Sequence, residues 1–327
     1  MAVLTPLDLD AARTLGRAFG LDVEAVEGLM AGSVNSNFAL TTTRGPFFLR
    51  VVEEQGPEGA AREARLLALL SSRGVRTPEP IRRVDGDGFT ATHAGKPVVV
   101  FPFVEGRSLA QREVTPEATR VVGAALAGVH AVGASLTPTA LADVAGPSRF
   151  DARALVNRLD GIPDTSAPDV RATRDRLKRF FASADAAPPS HALGQGLIHG
   201  DLFRDNVLFR GSELVALLDF ESASRGALAF DVMVTALSWC FGDDLDLGLV
   251  RGLFDGYASV RALPRIASEE LFAQGRAACA RFATTRITDF ELRPRGAGVY
   301  KDFRRFVRRL DALESLGPKG LEGLLVH

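Results

Sequence analysis

Asp201, Asn206 and Asp219 are the residues whose types and spacing point most directly to chemistry. Asp201 lies in His199-Gly200-Asp201-Leu202-Phe203-Arg204-Asp205-Asn206, and Asn206 follows it by five positions. Residues 207–209 and 214–218 then read as two apolar strands joined by a turn at Arg210-Gly211-Ser212, and Asp219-Phe220-Glu221 comes directly after the second. Phosphoryl transfer from ATP needs such a set. One carboxylate (Asp201) accepts a hydrogen bond from the attacking hydroxyl and takes its proton. A side-chain carbonyl (Asn206) and a second carboxylate (Asp219) hold Mg²⁺ against the phosphates. A short hairpin brings the two metal ligands together, because its strand ends lie side by side. Glu221 would support Asp219. Taken alone, the same residues also describe a polar hairpin in which Asp201 and Asn206 cap turns and Asp219 ends a strand.

The elements around this stretch must position it. Thr5-Pro6 is expected to cap a first helix reaching Phe19, which Gly20 ends. Short apolar runs predict strands at 26–30, 38–42 and 47–52, with a turn at Thr43-Arg44-Gly45-Pro46. The loop 31–37 between the first two is small and polar. A helix is expected over 57–73, and Thr77-Pro78-Glu79-Pro80 breaks it. Residues 81–84, 89–92 and 97–101 read as further strands. Asp85-Gly86-Asp87-Gly88 is a turn, since it lacks the ligand spacing and closing Glu of a calcium loop.

Beyond about Glu105 the pattern turns helical. Val121, Val122, Ala125, Leu126 and Val129 recur at helical spacing over 117–132, and His130 beside that stripe reads as structural. Residues 133–150 are expected to be loop-rich, 151–159 and 168–184 helical, and 186–196 a linker. The run from Gly226-Ala227-Leu228 opens a helix through Cys240, in which Asp231 can cap the N-terminus and support the loop of Asp201 from behind. A helix over 271–290 would place Arg281, Arg286 and Asp289 three to five residues apart, able to share a face. They could receive an amino acid, with a guanidinium on its carboxylate and Asp289 on its ammonium. The other reading is an ordinary surface ion-pair set.

His199-Gly200-Asp201-x-x-x-x-Asn206 with the later Asp219-Phe220-Glu221 resembles the aminoglycoside-phosphotransferase and choline-kinase superfamily. Three further stretches resemble the homoserine kinases of that fold. They are Gly32-Ser33-Val34-Asn35-Ser36-Asn37-Phe38, Ser238-Trp239-Cys240-Phe241, and Arg281 to Phe290 leading to Tyr300-Lys301-Asp302. The resemblance covers nearly the whole chain. It implies a protein-kinase-like, two-lobed α+β fold: a small antiparallel-sheet lobe over residues 1–104 that binds the nucleotide, and a mainly helical lobe over 105–327 that carries catalysis and substrate binding. It implies ATP and Mg²⁺ as cofactors, with Asp201 as base and Asn206 and Asp219 on the metal. The loop 31–37, with Ser33 and Asn35, would cover the nucleotide phosphates through backbone N–H groups. Arg50 stands where protein kinases carry a Lys on the α and β phosphates, and Glu63 would pair with it, although a plain strand cation and a surface ion pair are the alternatives. Phe101-Pro102-Phe103-Val104-Glu105-Gly106 fits the hinge that meets adenine, with Phe101 and Phe103 among the nucleotide-binding residues. The implied acceptor is L-homoserine. Alternatives within the fold are an aminoglycoside, choline, a methylthio-sugar or another amino alcohol, and the non-enzymatic alternative is a nucleotide-binding scaffold without turnover.

Bulk properties agree with a small-molecule enzyme. The 327 residues can form two lobes and a sizeable core, with 46% hydrophobic and 24% charged residues. A net charge of −1 offers no basic footprint for nucleic acid. The arginines between 293 and 309 read as a solvated helix face. Cys240 and Cys279 sit in apolar surroundings and read as buried thiols. Neither a signal peptide nor an apolar run long enough to span a membrane is visible, so a cytoplasmic location is expected.

Overall fold

The computed structural model describes residues 4–29, 34–86, 88–183, 192–293 and 300–325. Its first helix, α1 (Leu9–Ala18), starts at Asp8, whose side chain accepts from the Ala11 N–H. Thr5, the expected cap, hydrogen-bonds Glu53 instead. Five antiparallel strands follow, β1 (Val23–Leu29), β2 (Ser36–Thr42), β3 (Gly45–Val51), β4 (Thr90–His93) and β5 (Lys96–Pro102), in the spatial order β1-β2-β3-β5-β4. Residues 81–84 do not make the expected strand. Ile81 gives a single N–H to the Val100 carbonyl, and β4 takes the rest of that edge of β5.

Side chains alternate across β3, and this sorts the sheet into two faces. Phe47, Leu49 and Val51 pack against α1 in one core cluster. Phe48 and Arg50 look the other way, onto the face where Val99 and Phe101 lie and where helix α2 (Pro57–Ser72) buries Leu66, Leu67 and Leu70. Arg50 thus stands on the inner face of the sheet, opposite Asn37 on β2 and Val99 on β5.

The remainder is mainly helical: α3 (Pro116–Ala134), α4 (Pro138–Val144), α5 (Ala152–Asp160), α6 (Pro168–Ala182), α7 (Leu228–Trp239), α8 (Leu247–Ala258), α9 (Ser268–Arg286) and α10 (Arg304–Glu322). Helix α4 falls where a loop was expected. Thr137 caps it and Pro138 starts it, the same signal that Thr115-Pro116 supplies for α3. Two small ribbons complete the lobe, β6 (Gln195–Ile198) with β9 (Ser224–Ala227), and the hairpin β7 (Val207–Arg210) with β8 (Glu213–Leu217). The expected linker over 186–196 lies mostly outside the described residues, and its end is β6. Helix α9 does not run straight to Phe290, because Ile287–Glu291 widens into a π-helical turn. Among the described residues, no helix is long and apolar enough to cross a membrane.

Candidate active site

The loop from His199 to Asn206 is held mainly from behind. The Asp231 carboxylate, fully buried in the first turn of α7, accepts the His199 N–H at 2.6 Å and the Gly200 N–H at 2.8 Å. It also accepts from His130 Nε2 at 3.0 Å, while His130 Nδ1 meets the Tyr257 hydroxyl at 2.8 Å. Burial works against the ionised Asp231, but His130 and the backbone donors hold its carboxyl below the ordinary value. Asp231 therefore supports the loop without capping α7, whose N-cap is Ala227. The buried His199 ring donates from Nε2 to the Leu218 carbonyl (3.0 Å) and accepts the Asp201 N–H at Nδ1 (3.3 Å), which fixes its tautomer. Gly200 has φ +78°, and a Cβ there would stand 2.8 Å from the Ser222 carbonyl oxygen, so only glycine fits the bend that presents Asp201.

Asp201 opens onto a cavity of about 390 Å³. Burial raises its carboxyl above the ordinary range, and Arg281 opposes that rise. Asn206 Nδ2 donates to the Asp201 carbonyl at 2.8 Å, tying the candidate base and the candidate metal ligand into one loop. The hairpin pairs Val207 with Leu217, and the Leu218 N–H reaches the Asn206 carbonyl at 2.8 Å. This register places Asp219 beside Asn206. Asp219 is held in the left-handed conformation (φ 62°, ψ 66°), a strained state for a residue with a side chain. Its Oδ1 is buried without a hydrogen-bond partner among the described residues. An Asn and an Asp at a cleft suit Mg²⁺, a cation that takes one or two protein ligands and completes its shell with phosphate and water. Among the described residues, no three His, Cys, Asp or Glu side chains gather into a metal cage.

Arg50 reaches Glu63 at 3.6 Å, Glu221 at 3.9 Å and Asp219 at 4.0 Å. The expected pairing with Glu63 is present, enlarged to three carboxylates around one guanidinium. Burial pushes the Glu63 carboxyl up to about 8, against the pull of Arg50 and with added repulsion from Glu221 and Asp219. Burial also raises Glu221, helped by Asp219. Phe48, Arg50, Glu63, Phe101, Phe103 and Asp219 contribute to a cleft of about 230 Å³ between the lobes. Phe101 is buried at the back of it and Phe103 is exposed at its rim. Asn35 has a further part: its side chain donates to Glu221 and accepts the Glu53 N–H at 3.0 Å, so it fastens the sheet lobe to the Asp219 hairpin, and a phosphate contact would fall to its backbone N–H. Ser33 lies outside the described residues, as do residues 31 and 32 of the expected phosphate loop.

The cavity in front of Asp201 lies on the other side. Arg281, Arg286 and Asp289 all line it, as the spacing on α9 predicts. Their partners differ from the expected ones. Arg281 is buried between Phe150 (4.3 Å) and Phe282 (4.1 Å) and donates to the Gly200 carbonyl at 2.6 Å, so it braces the catalytic loop. Burial lowers its guanidinium to about 10, against the attraction of Asp201. Arg286 donates to the Asp302 carbonyl. Asp289, expected to take an ammonium, accepts from Arg158 at 2.7 Å and from Thr288 at 3.1 Å. Sequence reasoning missed Arg149, Phe150, Arg305 and Arg309 on these walls. The supposed solvated face of α10 is divided: Arg305 is exposed, whereas Arg309 is 4% exposed. Arg309 shares the apolar stripe of Phe306, Leu310 and Leu313, and a cation on such a stripe was the available signal.

An antiparallel-sheet lobe on a helical lobe, with the Asp201 loop and an Asn/Asp hairpin at their junction, is the protein-kinase-like α+β fold of a phosphotransferase. The chain belongs to the phosphotransferase enzyme family, whose model matches residues 25–263. It is 34% identical to the homoserine kinase of Brucella anthropi over 303 residues, covering 90% of each chain. It is 34% identical to that of Beijerinckia indica over 336 residues, covering 99% of this chain and all of the other. Among solved structures, an amicoumacin kinase in complex with AMP-PNP, Ca²⁺ and Ami superposes with a TM-score of 0.70 at 16% identity, over 94% of this chain and 95% of that one.

Proposed function

We propose that the protein transfers the γ-phosphoryl group of ATP to the side-chain hydroxyl of L-homoserine. The observation that carries this reading is the placement of Asp201 on the 390 Å³ cavity, with Asn206 and Asp219 behind it and the interlobe cleft beyond them. The identity to kinases of that acceptor over nearly the whole chain supports the choice of substrate. Adenine would enter the apolar cleft between Phe48, Phe101 and Phe103, and the hinge backbone would meet its edge. Arg50 would exchange some of its carboxylate neighbours for phosphate oxygens. Asn206 and Asp219 would hold Mg²⁺, which screens the phosphate charge.

The acceptor hydroxyl would hydrogen-bond to Asp201. As its oxygen bonds to the γ-phosphorus and the bond to the β-phosphate bridge breaks, the proton passes to the Asp201 carboxylate and ADP leaves. Positioning and charge neutralisation supply most of the rate in such transfers. Arg281 brackets the base, favouring its ionised form and fixing the Gly200 carbonyl. We further place the lobe boundary at residues 104/105, directly after β5, and the enzyme in the cytoplasm.

The test is ADP release from the purified protein with Mg-ATP and a panel of L-homoserine, L-serine, L-threonine, choline, methylthioribose and kanamycin. Turnover with L-homoserine at least about 100-fold above the rest is expected, the discrimination that buried polar recognition sustains. Turnover with another member and none with L-homoserine would discard the substrate and keep the chemistry.

A further inference from the structure

Arginines in a protein wall usually face carboxylates, and several in the acceptor cavity do not. Arg204 donates to the Leu109 carbonyl at 3.1 Å, and Arg286 to that of Asp302 at 3.2 Å. Arg309 donates to the Leu237 carbonyl at 2.6 Å and to the Arg305 carbonyl at 2.8 Å. Among the described residues, none of Arg204, Arg286, Arg305 and Arg309 forms an ion pair with a carboxylate. Phe306 lies under two of the guanidinium groups, Arg286 at 4.5 Å and Arg309 at 4.9 Å. Backbone carbonyls and an aromatic ring orient Arg204, Arg286 and Arg309 without neutralising them. Burial, followed by repulsion from Arg305, lowers Arg286 to about 10 and Arg309 to about 9. A desolvated cluster of like charge is costly unless an anion completes it, and guanidinium forks match carboxylate geometry. The acidic side of the cavity is different. Asp289 is already engaged by Arg158 and Thr288, Asp201 is reserved for the hydroxyl, and the exposed Asp205 attracts Arg204 and Arg286 without forming an ion pair with either.

We infer that Arg204, Arg286, Arg305 and Arg309 form an anion receptor for the carboxylate of the acceptor, and that the cavity selects this carboxylate far more strongly than the ammonium. The acceptor class is then the short hydroxy acids, with or without an α-amino group. This inference rests on the reading of the cavity as the acceptor site.

The test compares L-homoserine with 4-hydroxybutyrate, which lacks the ammonium, and with 2-amino-1,4-butanediol, which lacks the carboxylate. Loss of the carboxylate is expected to lower kcat/KM by about 100-fold or more, and loss of the ammonium by less than about tenfold. Arg305 is exposed, so Arg305→Ala leaves the fold intact. This variant should raise KM for L-homoserine by about tenfold without changing KM for ATP, and Arg305→Lys should recover part of the loss. Arg305→Ala and removal of the carboxylate should be non-additive, because they delete the two halves of one contact. The reverse ranking of the two analogues would overturn the inference, and so would unchanged KM for L-homoserine in both Arg305→Ala and Arg204→Ala. Should L-homoserine fail while a different anionic acceptor turns over and depends on Arg305, the receptor stands and only the substrate falls.

Discussion

The two cavities either side of the Asp201 loop use arginine in opposite ways. In the interlobe cleft, Arg50 is surrounded by Glu63, Asp219 and Glu221, all within 4.0 Å. In the acceptor cavity, Arg204, Arg281, Arg286 and Arg309 are each anchored by backbone carbonyls. The cleft gathers three carboxylates around one guanidinium, which suits a divalent cation arriving with a polyphosphate. The cavity carries surplus positive charge, which suits an acceptor bearing an anion. A carboxylate beside arginine sets charge locally, whereas a carbonyl sets only direction and leaves the charge for the ligand. One loop divides the two fields, and Asp201 sits on its positive side.

The largest effect expected is on that dividing loop. Asp201→Asn should lower turnover by about 10³-fold with little change in KM for ATP. Steady-state ADP release checks this, and near-normal turnover would remove the base from its role. Asp231→Ala should weaken the whole divide by leaving the His199 and Gly200 N–H groups and His130 without their buried acceptor. A loss of about 3–5 kcal/mol in denaturant unfolding is expected.

Asp219→Gly should separate function from stability on the cleft side. Turnover should collapse, while unfolding free energy should stay level or rise by about 1 kcal/mol as the left-handed strain is relieved. A marked loss of stability would mean that Asp219 serves the fold. The smallest effect is one of pH. Glu63 titrates at about 8 in the fold against an ordinary 4.5, so the native state holds the extra proton between these values. Stability of the nucleotide-free protein should therefore fall as pH rises across that window, with Asp201 and Glu221 shifted in the same direction. Glu63→Gln should flatten the decline, and an unchanged pH profile would show that burial does not hold an extra proton on Glu63.

Much of this arrangement was legible in the chain. Asp201, Asn206 and Asp219 are tied together by local spacing, because a loop and a two-stranded hairpin need only neighbouring residues to form. The same holds for Arg50 on an alternating strand, and for helix starts such as Thr115-Pro116. Thr137-Pro138 carries the same signal, but the prolines and glycines around it resemble a loop. Asp8 displaced Thr5 as a cap because Thr5 is drawn into hydrogen bonding with Glu53, a contact between distant residues.

The candidate chemistry was thus carried by residue types and motif spacing in the sequence itself, and the two-lobed class was implied by the resemblance of those motifs to a known superfamily. Only the tertiary structure decided the partners. The Asn35 side chain became a strap on Glu221, and Asp289 took Arg158 as its partner, the ion pair that was one of the two readings its spacing allowed. Arg309, 72 residues from the Leu237 carbonyl that orients it, became part of the acceptor wall. The type of a charged residue is written in the chain, but whether its charge is spent on a neighbour or left for a ligand depends on what packing brings within a few ångströms.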